Sequence, residues 1–122
     1  MKKILIVEDH ADIRRLIRMT LEFEDYAIFE ATDGERGLFM AQEVTPDLVL
    51  LDVMMPGAID GLEVCRRLKA QPNPPRILLL TARGRSEDLA AGVQAGSDVY
   101  LVKPFSPLQL IDTIGQQWPE QA

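Results

Sequence analysis

The 122 residues are 47% apolar and 26% charged, with eight glycines, eight prolines and one cysteine, the profile of a single domain over residues 1–122. The lone Cys65 cannot form an internal bridge, which removes disulfide scaffolds and multi-cysteine zinc modules and suits a reducing, cytoplasmic setting. Nineteen acidic residues against thirteen basic ones leave a net charge of −6, which repels a phosphate backbone and argues against direct nucleic-acid binding.

The first expected strand is Ile4–Val7, an apolar run that ends at Glu8 and Asp9 and is too short for a signal peptide or a membrane span. Ile13, Leu16, Ile17, Thr20 and Leu21 recur at spacings of three and four, which predicts the first helix. Tyr26–Phe29 is a second strand, less uniformly aliphatic, as expected at a sheet edge. Leu38 with Ala41 marks a second helix. Pro46-Asp47 then introduces Leu48–Leu51, which runs into Asp52, and Leu62, Cys65 and Leu68 mark a third helix. Pro72-Asn73-Pro74-Pro75 precedes Ile77–Leu80, which runs into Thr81. Leu89, Ala90 and Val93 predict a fourth helix closed by Gly96. Val99–Val102 leads into Lys103, and a last helix carrying Leu110 or Ile111, Ile114 and Trp118 is stopped by Pro119. Apart from the second, these runs read as strands buried on both faces. Five strand and helix pairs in strict alternation require right-handed crossovers and predict an α/β fold, a three-layer α/β/α sandwich with an open, doubly wound parallel sheet.

In such a sheet Glu8, Asp9, Asp52, Thr81 and Lys103 all fall at the carboxyl edge, where open α/β sheets hold ligands. Carboxylates that converge repel one another and raise at least one pKa unless a cation sits among them. Magnesium fits, because it takes oxygen ligands from one or two carboxylates with water and phosphate completing its shell. Met54 can offer only its backbone carbonyl. With Mg²⁺ and an ammonium at hand, a carboxylate can attack phosphorus and form an acyl phosphate. Asp52, at the end of the most uniformly apolar run, is the expected nucleophile.

Ile4-Leu-Ile-Val-Glu-Asp9, Pro46-Asp-Leu-Val-Leu-Leu-Asp-Val-Met-Met-Pro56, Leu80-Thr-Ala82 and Tyr100-Leu-Val-Lys-Pro-Phe105 together make the chain resemble the receiver domain of a two-component response regulator, over nearly its whole length. The resemblance implies the flavodoxin-like (βα)₅ fold with strand order 2-1-3-4-5, the order known for the chemotaxis receiver. It implies that Asp52 accepts a phosphoryl group from a sensor histidine kinase or phosphotransfer protein, with Mg²⁺ held by Glu8, Asp9, Asp52 and the Met54 carbonyl. Lys103 would pair with a phosphoryl oxygen, Thr81 would swing to hydrogen-bond it, and Tyr100 would turn inward, moving the surface of the fourth helix, fifth strand and fifth helix. Lys103-Pro104 would be a cis peptide. The downstream partner would be a protein or a covalently joined output domain, with a homodimer formed on phosphorylation; this chain itself is expected to carry no output domain.

Each residue has a plainer role in isolation: an acidic helix start for Glu8-Asp9, a turn or cap for Thr81, a surface charge for Lys103, a core aromatic for Tyr100. His10 reads as a loop or helix-start residue, Cys65 and the Met54-Met55 pair as packing, and Trp118 as the anchor of the last helix. Three other classes fit these residues less well. A phosphohydrolase with an aspartate nucleophile lacks its general acid, since Met54 stands two residues after Asp52. A nucleotide or flavin carrier would want a Gly-rich or Ser/Thr-rich loop where Glu8-Asp9-His10 stands. A receiver-like interaction module that is never phosphorylated has no need of the full acceptor set. Two departures from the family pattern stand out. Gly57-Ala58-Ile59-Asp60 is one residue longer than the usual loop, and Met54 and Arg83 occupy the positions that often orient or exclude attacking water. Met54 cannot orient water, so slow loss of the phosphoryl group is expected.

Overall fold

The computed structural model describes residues 1–82 and 86–118. Strands and helices alternate as β1 (Lys2–Val7), α1 (Ala11–Leu21), β2 (Tyr26–Ala31), α2 (Gly34–Val44), β3 (Leu48–Asp52), α3 (Gly61–Lys69), β4 (Arg76–Ala82), α4 (Ser86–Ala95), β5 (Val99–Lys103) and α5 (Pro107–Gly115). All strand pairs are parallel, in the order β2-β1-β3-β4-β5, as expected.

Period-two alternation sorts the central strands between two cores. Leu5, Val7, Val49, Leu51, Ile77 and Leu79 face α2, α3 and α4, packing with Ala41, Val64, Cys65, Leu68 and Ala95. Ile4, Ile6, Leu48, Leu50, Leu78 and Leu80 face α1 and α5, packing with Ile17, Leu21, Leu110 and Ile114. Because both faces are covered, the central runs are aliphatic without interruption, and each fully buried Leu or Ile contributes roughly 1.5–3 kcal/mol. This rigid triple of strands is what holds Glu8, Asp52 and Thr81 at its end.

Caps set the helix starts. Asp33 accepts from the Arg36 N–H, Asp60 from the Glu63 N–H, and Ser106 with Gln109 forms a reciprocal capping box, each worth about 1 kcal/mol. At the opposite end of the sheet, Asp98 accepts from the Ile77 N–H at 2.7 Å and pairs with Lys69 and Arg76, tying α3 and β4 to the start of β5. Cys65 is buried with Sγ 3.6 Å from the Ala95 carbonyl. Burial pushes its thiol up to about 11, so it is a packing residue.

Several elements depart from the sequence pattern. β5 is the second edge of the sheet and is only half-buried, with Tyr100 turned outward; a four-residue aliphatic run does not distinguish an edge strand covered on one side from a central one. In α4 the inward positions are Gly92 and Ala95 rather than Val93, which is exposed. A Cβ at Gly92 would lie 2.6 Å from Leu79 Cδ1, so the helix approaches the sheet through a glycine that hydrophobic periodicity does not count. Leu16 and Met54 are likewise exposed, while Ile17 and Met55 are buried. The last helix ends at Gly115, short of Trp118. The Trp118 ring still anchors this segment, donating from Nε1 to the Tyr26 hydroxyl at 2.9 Å with Lys2 Nζ 5.2 Å above the ring. Arg83 and Pro119, which carried expectations about water access and helix termination, lie outside the described residues.

Candidate functional site

The site is built where β1, β3, β4 and β5 end. Glu8 follows β1 directly. Its N–H continues the sheet ladder to the Ala31 carbonyl at 3.1 Å, and its carbonyl accepts from Arg14 Nη1 at 2.8 Å. Held at both backbone groups, its side chain is fully buried. Arg14 is itself fixed by Glu30, which also takes Arg18 from the next turn of α1. These two arginines, four apart on one helix face, were not singled out in the sequence, although that spacing opposite an acid at a strand end is the available signal.

Asp52 closes β3, 3% exposed, with its Cα paired to Leu80 of β4. The Met54 N–H donates to its Oδ1 at 3.2 Å. Lys103, from the end of β5, brings its ammonium to 3.1 Å from Glu8 Oε1 and 3.2 Å from Asp52 Oδ2. Asp9 begins the loop into α1, with Oδ1 buried. Thr81 is buried one residue beyond the Asp52 partner on β4, and its Cα pairs with Val102. Glu8, Asp9, Asp52 and Lys103, remote in the chain, therefore meet in one pocket, with Thr81 at the neighbouring strand end. Tyr100 is not part of it: its side chain lies on the outer edge of β5, 48% exposed. The Lys103-Pro104 peptide is cis, as the resemblance implied.

Electrostatically, among the described residues, the pocket sets an excess of acid against the Lys103 ammonium. Burial, and then the neighbouring Asp52 carboxylate, push the Glu8 carboxyl from 4.5 up to about 8, with Lys103 acting the other way. Glu8 Oε2 and Asp9 Oδ1 are buried with no hydrogen-bond partner. Orphaned carboxylate oxygens among like charges are the donor set a hard divalent cation requires, and Glu8, Asp9, His10 and Asp52 each offer a ligand atom within 4.8 Å of the others. His10 is thus drawn into a cluster where the sequence suggested only a helix start.

The longer loop before α3 leaves the acceptor end of β3 intact. Gly57 takes a positive φ of 111°, Ile59 folds over Gly34, and α3 starts at Gly61 behind its Asp60 cap. Gly61 is the tightest point of the site: a Cβ there would stand 2.1 Å from the Asp52 carbonyl oxygen and 3.0 Å from Val53 Cα. Both obstacles are backbone and cannot rotate away. Gly61→Ala is accordingly expected to cost about 3 kcal/mol or more, read as a lowered urea midpoint, and to displace Asp52 from its partners.

Fold and pocket together define a flavodoxin-like α/β domain whose carboxyl-edge crevice is acidic and lysine-bridged rather than Gly-rich, unlike a nucleotide carrier. The response regulator receiver domain family matches residues 4–115, and the chain belongs to that family, as the receiver domain of a two-component signalling switch. It is 50% identical over 109 residues to the transcriptional regulatory protein ResD of Bacillus subtilis strain 168, which covers 89% of this chain and 45% of that protein. Among solved structures, it matches the chemotaxis response regulator CheY4 of Vibrio cholerae with a TM-score of 0.89 at 32% identity, over 97% of this chain and 99% of that one. A CheY-like receiver domain protein from Methanospirillum hungatei JF-1 matches with a TM-score of 0.89 at 30% identity, over 99% and 96% of the two chains. The chain spans less than half the length of ResD. Among the described residues no helix is long and apolar enough to cross a membrane.

Proposed function

We propose that Asp52 is the phosphoacceptor of this receiver, that Glu8, Asp9, Asp52 and the Met54 carbonyl hold Mg²⁺, and that the domain works in the cytoplasm as a switch rather than as an enzyme turning over a substrate. The observation that carries the reading is the convergence of three carboxylates and the Lys103 ammonium, with Glu8 Oε2 and Asp9 Oδ1 left without hydrogen-bond partners. A bound Mg²⁺ supplies charge neutralisation on the phosphoryl oxygens.

An Asp52 carboxylate oxygen forms the new bond to phosphorus as the bond to the donor's leaving group breaks, the electron pair departing with that group. The Met54 N–H holds Oδ1, which orients the carboxylate. Lys103 exchanges its contact with Asp52 for a phosphoryl oxygen. The phosphoryl group brings roughly −2 charge and three acceptor oxygens, which favours inward positions of Thr81 and Tyr100. Only contacts made differently in the two states can shift that balance. The exposed side chains of Val93 on α4, Tyr100 on β5 and Leu108 on α5 support this face as the output surface, offered to a protein partner, a second copy or a joined output domain. The name of ResD as a transcriptional regulatory protein favours control of transcription through such a domain.

The donor would be a histidine kinase or phosphotransfer protein. A largely apolar groove of about 380 Å³ lined by Ile13, Leu16, Ala82, Lys103, Pro104 and Phe105 opens beside the pocket, and the exposed Met19 and Phe23 continue along and beyond α1. That surface suits a helix delivering a phosphohistidine while displacing water. The test is incubation with Mg²⁺ and acetyl phosphate or phosphoramidate, followed by intact mass and peptide fragmentation. One added phosphoryl group on Asp52, outlasting seconds, is expected; no mass increase would leave an interaction module that is never phosphorylated.

A further inference from the structure

His10 is the only histidine of the chain, and it does not do what its position calls for. It occupies the N-cap of α1 in an extended conformation, yet its side chain makes no capping hydrogen bond. The ring turns back over the acidic pocket instead. Nδ1 lies 3.3 Å from Asp9 Oδ1, 3.6 Å from Glu8 Oε1 and 4.0 Å from Asp52 Oδ2. An ion with bonds of about 2.1 Å keeps adjacent octahedral donors about 3.0 Å apart and opposite ones about 4.2 Å apart. All three separations fall within that range. Two of the carboxylate oxygens here, Glu8 Oε2 and Asp9 Oδ1, are buried and lack a hydrogen-bond partner.

We infer that His10 supplies a nitrogen ligand to the cation of this pocket, so that the site favours a first-row transition ion such as Mn²⁺ or Co²⁺ over Mg²⁺ more strongly than its carboxylates alone would. The inference rests on the cation reading given above and goes beyond it in assigning a nitrogen donor. The chemistry is one of ligand softness: imidazole suits Zn²⁺, Ni²⁺ and Cu²⁺, affinity for a site holding a nitrogen donor rises from Mn²⁺ through Co²⁺ along the first-row series, and Mg²⁺ prefers carboxylate, carbonyl and water oxygens. Lys103, on the same Glu8 and Asp52 carboxylates, opposes every divalent cation alike and does not discriminate among them. With a side chain 60% exposed, His10 can be replaced without opening the core.

The test uses protein without a histidine tag, titrated calorimetrically with Mg²⁺, Mn²⁺ and Co²⁺. His10→Ala and His10→Gln are each expected to lower Co²⁺ affinity roughly tenfold and Mn²⁺ affinity by less, and to leave Mg²⁺ affinity within about twofold, the unchanged Mg²⁺ binding also reporting an intact fold. With ¹⁵N-histidine, electron spin echo modulation of bound Mn²⁺ should show a directly bonded nitrogen that both variants lose. Equal losses for all three ions, no change for any, or Mn²⁺ bound without nitrogen coupling would each overturn the role of His10 while leaving the carboxylate site standing. Wild-type protein that binds none of the three ions would overturn the cation reading itself, and this inference with it.

Discussion

Asp52→Asn is expected to abolish phosphoryl uptake from acetyl phosphate while leaving a folded protein whose melting temperature without metal is higher than that of the wild type. The amide keeps the size of the side chain and an oxygen to accept from the Met54 N–H, so packing at the end of β3 is preserved. What disappears is the nucleophile. An amide oxygen in place of a carboxylate cannot form the acyl phosphate, so intact mass should show no added phosphoryl group under conditions that modify the wild type. The variant also removes one of the charges that raise the Glu8 carboxyl, which relieves repulsion in the metal-free state. The same loss of charge weakens Mg²⁺ binding, by at least about tenfold. A variant still phosphorylated to the wild-type level would place the acceptor elsewhere.

Glu8→Gln separates stability from cation binding in the same pocket. The folded-state pKa of Glu8 is raised to about 8 from 4.5, so the folded protein binds this proton more tightly than the unfolded chain does. Metal-free wild type therefore keeps the full stability of this site below pH 4.5, loses it progressively as the pH rises, and has lost all of it near pH 8. The glutamine amide of the variant has no such proton to lose. The difference in unfolding free energy between variant and wild type, measured in chelator by urea titration, should grow from pH 4.5 to about 8 and reach roughly 4–5 kcal/mol in favour of the variant. Mg²⁺ should stabilise the wild type most at the alkaline end of that window and the variant little at any pH. A difference that is flat with pH would mean that Glu8 ionises as an ordinary carboxylate.

Both predictions, like Gly61→Ala, concern the cost of concentrating acid at one edge of a sheet. The protein tolerates that cost because the three central strands are buried on both faces and do not yield. Phosphorylation of Asp52 would act on the weaker margin, where β5 is half-buried and Tyr100 already lies outside. A core packed around Leu50 and Leu79 transmits strain, whereas an edge strand can adjust to it.

Much of this molecule was legible in the amino-acid order. Uninterrupted aliphatic runs ending in Asp52, Thr81 and Lys103, separated by amphipathic stretches, determined the alternation of strands and helices, the covered sheet and the edge at which the chemistry collects. The reason is that a strand buried on both faces has one composition available to it, and polar groups then survive only at its ends. What the tertiary structure decided lies outside that pattern. Hydrophobic periodicity assigns no inward face to glycine, so Gly92 against Leu79 and Gly61 against Asp52 emerge only when two backbones are brought together. An aliphatic run does not say whether a neighbour covers its second face, so β5 as an edge follows from strand order alone. The direction of the His10 ring and the grip of Arg14 on the Glu8 carbonyl depend on side-chain torsions at the start of α1, which local sequence leaves open and the surrounding carboxylates settle.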